Sequence, residues 1–217
     1  MQYTAIKLVK RPDINITPDL FETVTLETPE LEDGQFLLKQ THMSLDPAMK
    51  GWMTADRNSY IPPVELGEVM RSSGVAEVVE SKNDGFSVGD RVVGMIGWTE
   101  YAVSDGTGLQ LLPGDVSAEA VLCVLSLPGL TAYQGLVEIG KPEAGETLVV
   151  SGAAGSVGSM VGQIAKAEGL RVVGTAGTDE KCRWLEDELG FDKAINYKSD
   201  NLAEQITEAT PDGVDLY

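Results

Sequence analysis

The sequence predicts an α/β protein, with a β-rich first part and a doubly wound parallel sheet in the second. Three observations predict it. Short β-like runs between turn signals fill the chain up to about residue 120. From about Ala118 onward, strands alternate with helical patterns of about 10–15 residues, the mark of βαβ units around a parallel sheet. A glycine loop, Ser151-Gly152-Ala153-Ala154-Gly155-Ser156-Val157-Gly158, stands between a strand and a helix of that second part. The expected division is 1–120 and 121–217.

In the first part, "GQFLLKQTHMSL" and "SGVAEVVES" read as strands. "DGFSVGDRVVGMIGWTEYAV" holds a glycine-rich turn, a strand at Arg91-Val92-Val93-Gly94, and a second strand after it. In the second part a helix is expected near 131–139, then strand 147–151, helix 156–168 and strand 171–175. A helix over 179–189, a short strand over 194–197 and a helix over 201–209 follow, and 214–217 begin another strand. A doubly wound dinucleotide fold needs two βαβαβ halves, and only about one and a half are present, so the natural protein is expected to be longer.

Composition bounds the function. The 217 residues carry 34 acidic and 16 basic side chains, a net charge of −18. Nucleic-acid and anionic-membrane binders need clustered Lys and Arg, so both classes are disfavoured. A small anionic ligand is not, because a few local N–H donors and one Lys outweigh a distant field that salt screens. Two cysteines, Cys123 and Cys182, form no Cys-x-x-Cys and no dense disulfide pattern, which points to a reducing cytoplasm. Cys123 sits in an apolar run and is expected to be packed. The start, "MQYTAIKLVKRPDI", has no signal-peptide core, and the longest apolar run, 121–127, is interrupted by Ser126 and too short to span a bilayer.

The glycine loop carries the chemistry. Its glycines fall at 152, 155 and 158 rather than in the G-x-G-x-x-G text. The physical parts are nevertheless there: Gly155 lets backbone approach a pyrophosphate, and Gly158 lets the helix lie close to the strand. Val157, Met160, Val161, Ile164 and Ala165 recur at helical spacing and are expected to face the sheet. The helix start offers free N–H groups and a partial positive charge. The adenosine end decides the form of the ligand. NAD sites place an Asp or Glu at the tip of the second strand, about 20 residues on, to bond the ribose 2′-OH. Here that tip reads Ala176-Gly177-Thr178, with Lys181 one turn later. Asp179 and Glu180 come late and fit the first turn of a helix, where acids are favoured anyway. The expected cofactor is NADP(H), its 2′-phosphate on Thr178 and Lys181. The rival arrangement, Asp179 on the 2′-OH, stays open.

With these residues placed, the chain resembles the medium-chain dehydrogenase/reductase superfamily. Within it, the chain is similar to the zinc-free NADPH-dependent 2-alkenal, prostaglandin and curcumin reductases. The resemblance is carried by "MSLDPAMKGWM", "SYIPPVELGEVM", "LPGLTAYQGL", "GETLVVSGAAGSVGSMVGQIAK", "VVGTAGTDEK" and "LGFDKAINYK" and covers essentially the whole chain. It implies a GroES-like domain over 1–120, a Rossmann NADP-binding domain over 121–217, and a last segment that returns to complete the first domain. It further implies pyrophosphate on Gly155, Ser156, Val157 and Gly158, 2′-phosphate on Lys181 and Thr178, Tyr197 against the adenosine, and Thr131 near the nicotinamide ribose. A homodimer is implied as well.

The alcohol dehydrogenases of the same superfamily carry a Cys/His/Glu zinc set. Here the stretch that would hold Gly-His-Glu reads Gly67-Glu68-Val69, the only histidine is His42, and no Cys precedes Cys123. Three ligands of these types are wanted, so no metal is expected, and His42 is expected to be a partly buried structural side chain. Without a Lewis acid, reduction of a C=C bond conjugated to a carbonyl is the readiest chemistry. NADPH would deliver hydride to the β-carbon of an enal or enone, donors would hold the enolate oxygen, and a Tyr or water would protonate the α-carbon. In the similar reductases a Tyr of the later Rossmann half, absent from this chain, is a candidate donor. Within this chain Tyr60 is the catalytic candidate, as donor or pocket wall, and a loop aromatic packing on Pro62 and Pro63 fits it equally. Ala48 and Lys50 stand where the similar proteins often have an aromatic and an Arg, which reshapes the expected pocket. A quinone reductase and a non-catalytic nucleotide-binding scaffold are the alternatives.

Overall fold

Alternating apolar and polar residues build the first of two units, Met1–Leu122, from antiparallel strands, while the second, Cys123–Tyr217, is wound from strands and helices. The coordinates are a computed structural model and describe every residue except Arg57 and Tyr60. In the first unit, β1 (Gln2–Leu8) and β2 (Phe21–Glu27) form an antiparallel hairpin that runs from Gln2 opposite Glu27 to Leu8 opposite Phe21. β3 (Phe36–Met43), a single helical turn α1 (Met49–Trp52), β4 (Ser73–Ser81), β5 (Arg91–Met95), β6 (Tyr101–Ser104) and β7 (Gln110–Leu111) follow. The five later strands make one antiparallel sheet in the order β6-β3-β4-β5-β7.

Strict alternation fails in β3, where Phe36, Leu37 and Leu38 are all buried. The reason is a register shift against β4 between Leu37 and Leu38, where a bulge re-aims the side chains. Phe36, Leu38, Ala76, Val78 and Val92 form the core on one face, with the Phe86 ring stacked on Phe36 at 4.5 Å. A second cluster gathers Leu8, Leu20, Met49, Trp52, Met53, Val64 and Met70, and Ala48 packs against it.

The second unit opens with α2 (Leu127–Tyr133), which starts at Leu127 rather than near Thr131 because Pro128 is suited to a helix's first turn. Residues 134–140 continue as a wider π-helical turn ending on Lys141 in the left-handed region, φ 50°. Then come β8 (Thr147–Val150), α3 (Ser156–Ala167), β9 (Arg171–Ala176), α4 (Asp179–Asp187), β10 (Lys193–Asn196) and α5 (Leu202–Ala209). β10, β9 and β8 are parallel neighbours in that order. Leu216 adds a parallel bridge on the free edge of β8, opposite Leu148, with the Val149 N–H donating to its carbonyl at 3.0 Å. The order of the second unit is therefore third, second, first, then fourth, the doubly wound Rossmann pattern with its reversal at β8.

Both faces of this sheet are covered, which is why its strands are continuous apolar runs. Val149, Val173 and Ile195 face α5, where Ala209, Leu202 and Ile206 meet them. Leu148, Val150, Val172 and Ala194 face the other way, toward Ala165, Leu185 and Phe191. Among the described residues no helix is long and apolar enough to cross a membrane.

Candidate functional site

β8 ends at Val150, and the chain must turn sharply to start α3 at Ser156. Gly152 makes the turn with φ +56°, a conformation that L side chains rarely adopt. Its carbonyl accepts the Gly155 N–H at 2.8 Å, which closes the loop. A Cβ on Gly158 would stand 2.6 Å from that same carbonyl oxygen, so helix and loop are as close as backbones allow. The N-cap of α3 is Gly155, and no side chain caps the helix. The first N–H that finds a helical carbonyl is that of Ser159, donating to Gly155 at 2.9 Å. The amides of Ser156, Val157 and Gly158 are thus left as donors at the positive end of a twelve-residue helix.

These amides open on a cleft of about 620 Å³. It is lined by Gly152, Gly155, Val157, Thr131, Leu216 and Tyr217, among others, and so straddles the point where strand order reverses. Ligands of open α/β sheets bind at that point, beyond the carboxyl ends of the strands. Five expected site residues meet here: Thr131, Gly155, Ser156, Val157 and Gly158. The Thr131 hydroxyl donates to the Leu127 carbonyl at 2.6 Å, so what it offers a ligand is a lone pair.

The other three expected residues gather at the tips of β9 and β10. Thr178 caps α4, its Oγ1 accepting the Lys181 N–H at 3.3 Å, which leaves its hydroxyl proton free to donate. The Lys181 side chain is exposed, and no ion pair holds it among the described residues. The Tyr197 hydroxyl lies over Gly177, 2.8 Å from where a Cβ would be. Asp179 is not idle: its Oδ1 accepts from the Asn196 side-chain amide at 2.7 Å.

Three expectations need correction. Of the residues expected to face the sheet, Ala165, Val161 and Ile164 do pack against its core, beside buried Gly162 and Ser159, whereas Val157 is exposed and lines the cleft. Position 162 is small because Phe191 occupies the space a larger residue would need. Cys123 is exposed, since its turn directs Val121 and Leu122 inward instead. His42 is also exposed, with Nε2 3.6 Å from a Glu119 carboxylate oxygen. Tyr60 lies outside the described residues. One contact at the tips of β9 and β10 escaped the sequence reading: that of Asn196, whose partner Asp179 is 17 residues away.

Glu68 Oε2 accepts the Glu65 N–H at 3.1 Å, and among the described residues no group of three His, Cys, Asp or Glu side chains is placed to hold a metal ion. A smaller hollow of about 360 Å³ in the first unit, lined by Gln40, His42 and Trp98 among others, contains none of the expected site residues.

Comparison with known proteins places this geometry in a class. Residues 4–112 match the family described as "N-terminal domain of oxidoreductase", and residues 156–217 match one described as "Zinc-binding dehydrogenase". The chain belongs to the medium-chain dehydrogenase/reductase family of oxidoreductases. It is 45% identical over 212 residues to the NADPH-dependent curcumin reductase of Escherichia coli, covering 97% of this chain and 61% of that protein. It is 45% identical over 206 residues to prostaglandin reductase 1 of Rattus norvegicus, covering 93% and 60% respectively. Among solved structures, CurA of Vibrio vulnificus in complex with NADPH superposes with a TM-score of 0.89 at 40% identity, over 99% of this chain and 64% of that one. The chain thus spans about three fifths of the length of the curated relatives it matches.

Proposed function

We propose that the protein is an NADP(H)-dependent oxidoreductase. It reduces the C=C bond of α,β-unsaturated aldehydes and ketones by hydride transfer to the β-carbon, without a metal. The observation that carries this reading is the switch-point cleft. Three uncapped amides of α3 stand at one end of the bound nucleotide's path, and a strand tip with Gly177, Thr178 and an uncommitted Lys181 stands at the other. The relatives, an NADPH-dependent curcumin reductase and CurA in complex with NADPH, support the same cofactor and substrate class.

In this reading the second unit is the NADP-binding domain and the first serves the substrate. Gly155, Ser156, Val157 and Gly158 hold the diphosphate through backbone amides. Lys181 and Thr178 hold the 2′-phosphate by charge-assisted hydrogen bonds. Tyr197 covers the adenosine, and Thr131 accepts a hydrogen bond from the nicotinamide ribose. The bound coenzyme supplies the hydride. Tyr60 serves the substrate as donor or as pocket wall, and the main proton donor is expected outside this chain. Zinc independence rests on Glu68 standing where a His ligand would be and on its carboxylate being used locally. The resemblance supports a homodimer, and the two unpaired cysteines support a cytoplasmic setting.

The test is coenzyme consumption with a 2-alkenal, a curcumin-like dienone and a quinone, run with NADPH and with NADH. The expected result is turnover of the enal and dienone with NADPH. Faster turnover of the quinone would make the protein a quinone reductase. NADPH binding with no consumption on any acceptor would make it a nucleotide-binding scaffold.

A further inference from the structure

Asn196, the last residue of β10, is fixed at both ends of its side-chain amide. Nδ2 donates to Asp179 Oδ1 at 2.7 Å, and Oδ1 accepts the Lys198 N–H at 3.1 Å. The second bond settles the orientation, because a flipped amide would set its oxygen against a carboxylate and its NH₂ against an N–H. Asp179 is the acid nearest the tip of β9, at the start of α4, close to where a dinucleotide site places a carboxylate for the ribose 2′-OH. The Asn196 amide holds one of the Asp179 oxygens, Oδ1, toward β10.

The next residue acts in the same direction. A side chain on Gly177, at the strand tip itself, would collide with the Tyr197 hydroxyl at 2.8 Å. Consecutive residues at the end of β10 thus crowd the strand-tip position and engage the first acid after it.

We propose that Asn196 is a positioning residue for coenzyme choice: its amide ties the Asp179 carboxylate to β10, so that Thr178 and the Lys181 ammonium meet the adenosine 2′ position. The inference rests on the NADP(H) reading above and adds to it the device that withholds the competing acid. Asn196 acts through Asp179 and need not touch the coenzyme.

The test is fluorescence titration of the purified protein with NADPH and with NADH. In Asn196→Ala the freed carboxylate should tighten NADH and weaken NADPH, lowering the preference for NADPH about tenfold. Adding Asp179→Asn to Asn196→Ala should reverse the gain in NADH affinity, which a general loosening of the fold would not do. Asp179→Asn alone should leave NADH affinity unchanged. Asn196→Ser, too short to reach Asp179, repeats the first arm should the alanine variant not fold. An unchanged preference in Asn196→Ala and Asn196→Ser, or weakened NADH binding in Asp179→Asn alone, overturns the proposal while leaving the cofactor reading intact. A wild-type protein with no preference for NADPH overturns both.

Discussion

Gly177 is the residue at which the coenzyme question is most sharply posed. It lies at the tip of β9, and the Tyr197 hydroxyl occupies the space a side chain would take. Gly177→Asp should push that ring aside and bring a carboxylate to the adenosine ribose. NADPH binding should weaken about tenfold or more and NADH binding should gain, as read by the two dissociation constants. Loss of both coenzymes alike would show that the ring, not the charge, matters. The glycines and Lys181 were legible in the sequence, because chain order alone puts them at the ends of consecutive strands. The hold of Asn196 on Asp179 was not, since the two meet only when β9 and β10 lie side by side. His42 and Cys123 were misread for a related reason. Composition says that such residues are often inside, but a bulge in β3 and a turn at 120–124 decide which way each points.

At the scale of the element, α3 and the residues that follow α4 hold the site's frame. A Cβ on Gly162 would come within 1.9 Å of the Phe191 ring, and the same ring closes over Gly174. Gly162→Ala should therefore cost about 1–3 kcal/mol despite alanine's better helix propensity, measured by urea denaturation. Pairing it with Phe191→Leu should recover part of the loss, as residues in contact do not behave additively. Next to Phe191, Asp192 links the end of α3 to the start of β9. Its carboxylate accepts the Val172 N–H at 2.6 Å and Lys166 Nζ at 2.9 Å. Burial pushes this carboxyl up, but the Val172 amide and the Lys166 ammonium more than offset it and hold it below its usual value. A depressed folded value means stability present above the unfolded value of about 3.9 and lost as pH falls through the folded one. Asp192→Asn should lower stability by about 1–2 kcal/mol near neutral pH, and the difference from wild type should close in acid. A difference independent of pH would refute the assignment. The sequence showed the strand–helix alternation of this unit because buried parallel strands and amphipathic helices have distinct periods. It did not reveal the hairpin of β1 and β2, whose partners lie across a long loop, or the π-helical turn at 134–140, whose apolar spacing looks like ordinary helix.

For the molecule as a whole, the reversal of strand order at β8 is what turns a glycine loop into a binding site. Crossovers between parallel strands are right-handed, so successive strands stack to one side until the chain returns to the free edge of β8 at Leu216. That return builds the second wall of the cleft, and the uncapped amides of α3 open into it. A net charge of −18 opposes an anionic coenzyme at long range, so the proposed site relies on local donors, those amides and Lys181. Calorimetric titration with NADPH and NADH, on wild type and on Lys181→Ala, tests this most directly. The account predicts one nucleotide per chain, a clear preference for NADPH in wild type, and loss of most of that preference in Lys181→Ala with NADH binding little changed. No bound nucleotide, a preference for NADH, or equal weakening of both coenzymes in Lys181→Ala would contradict it.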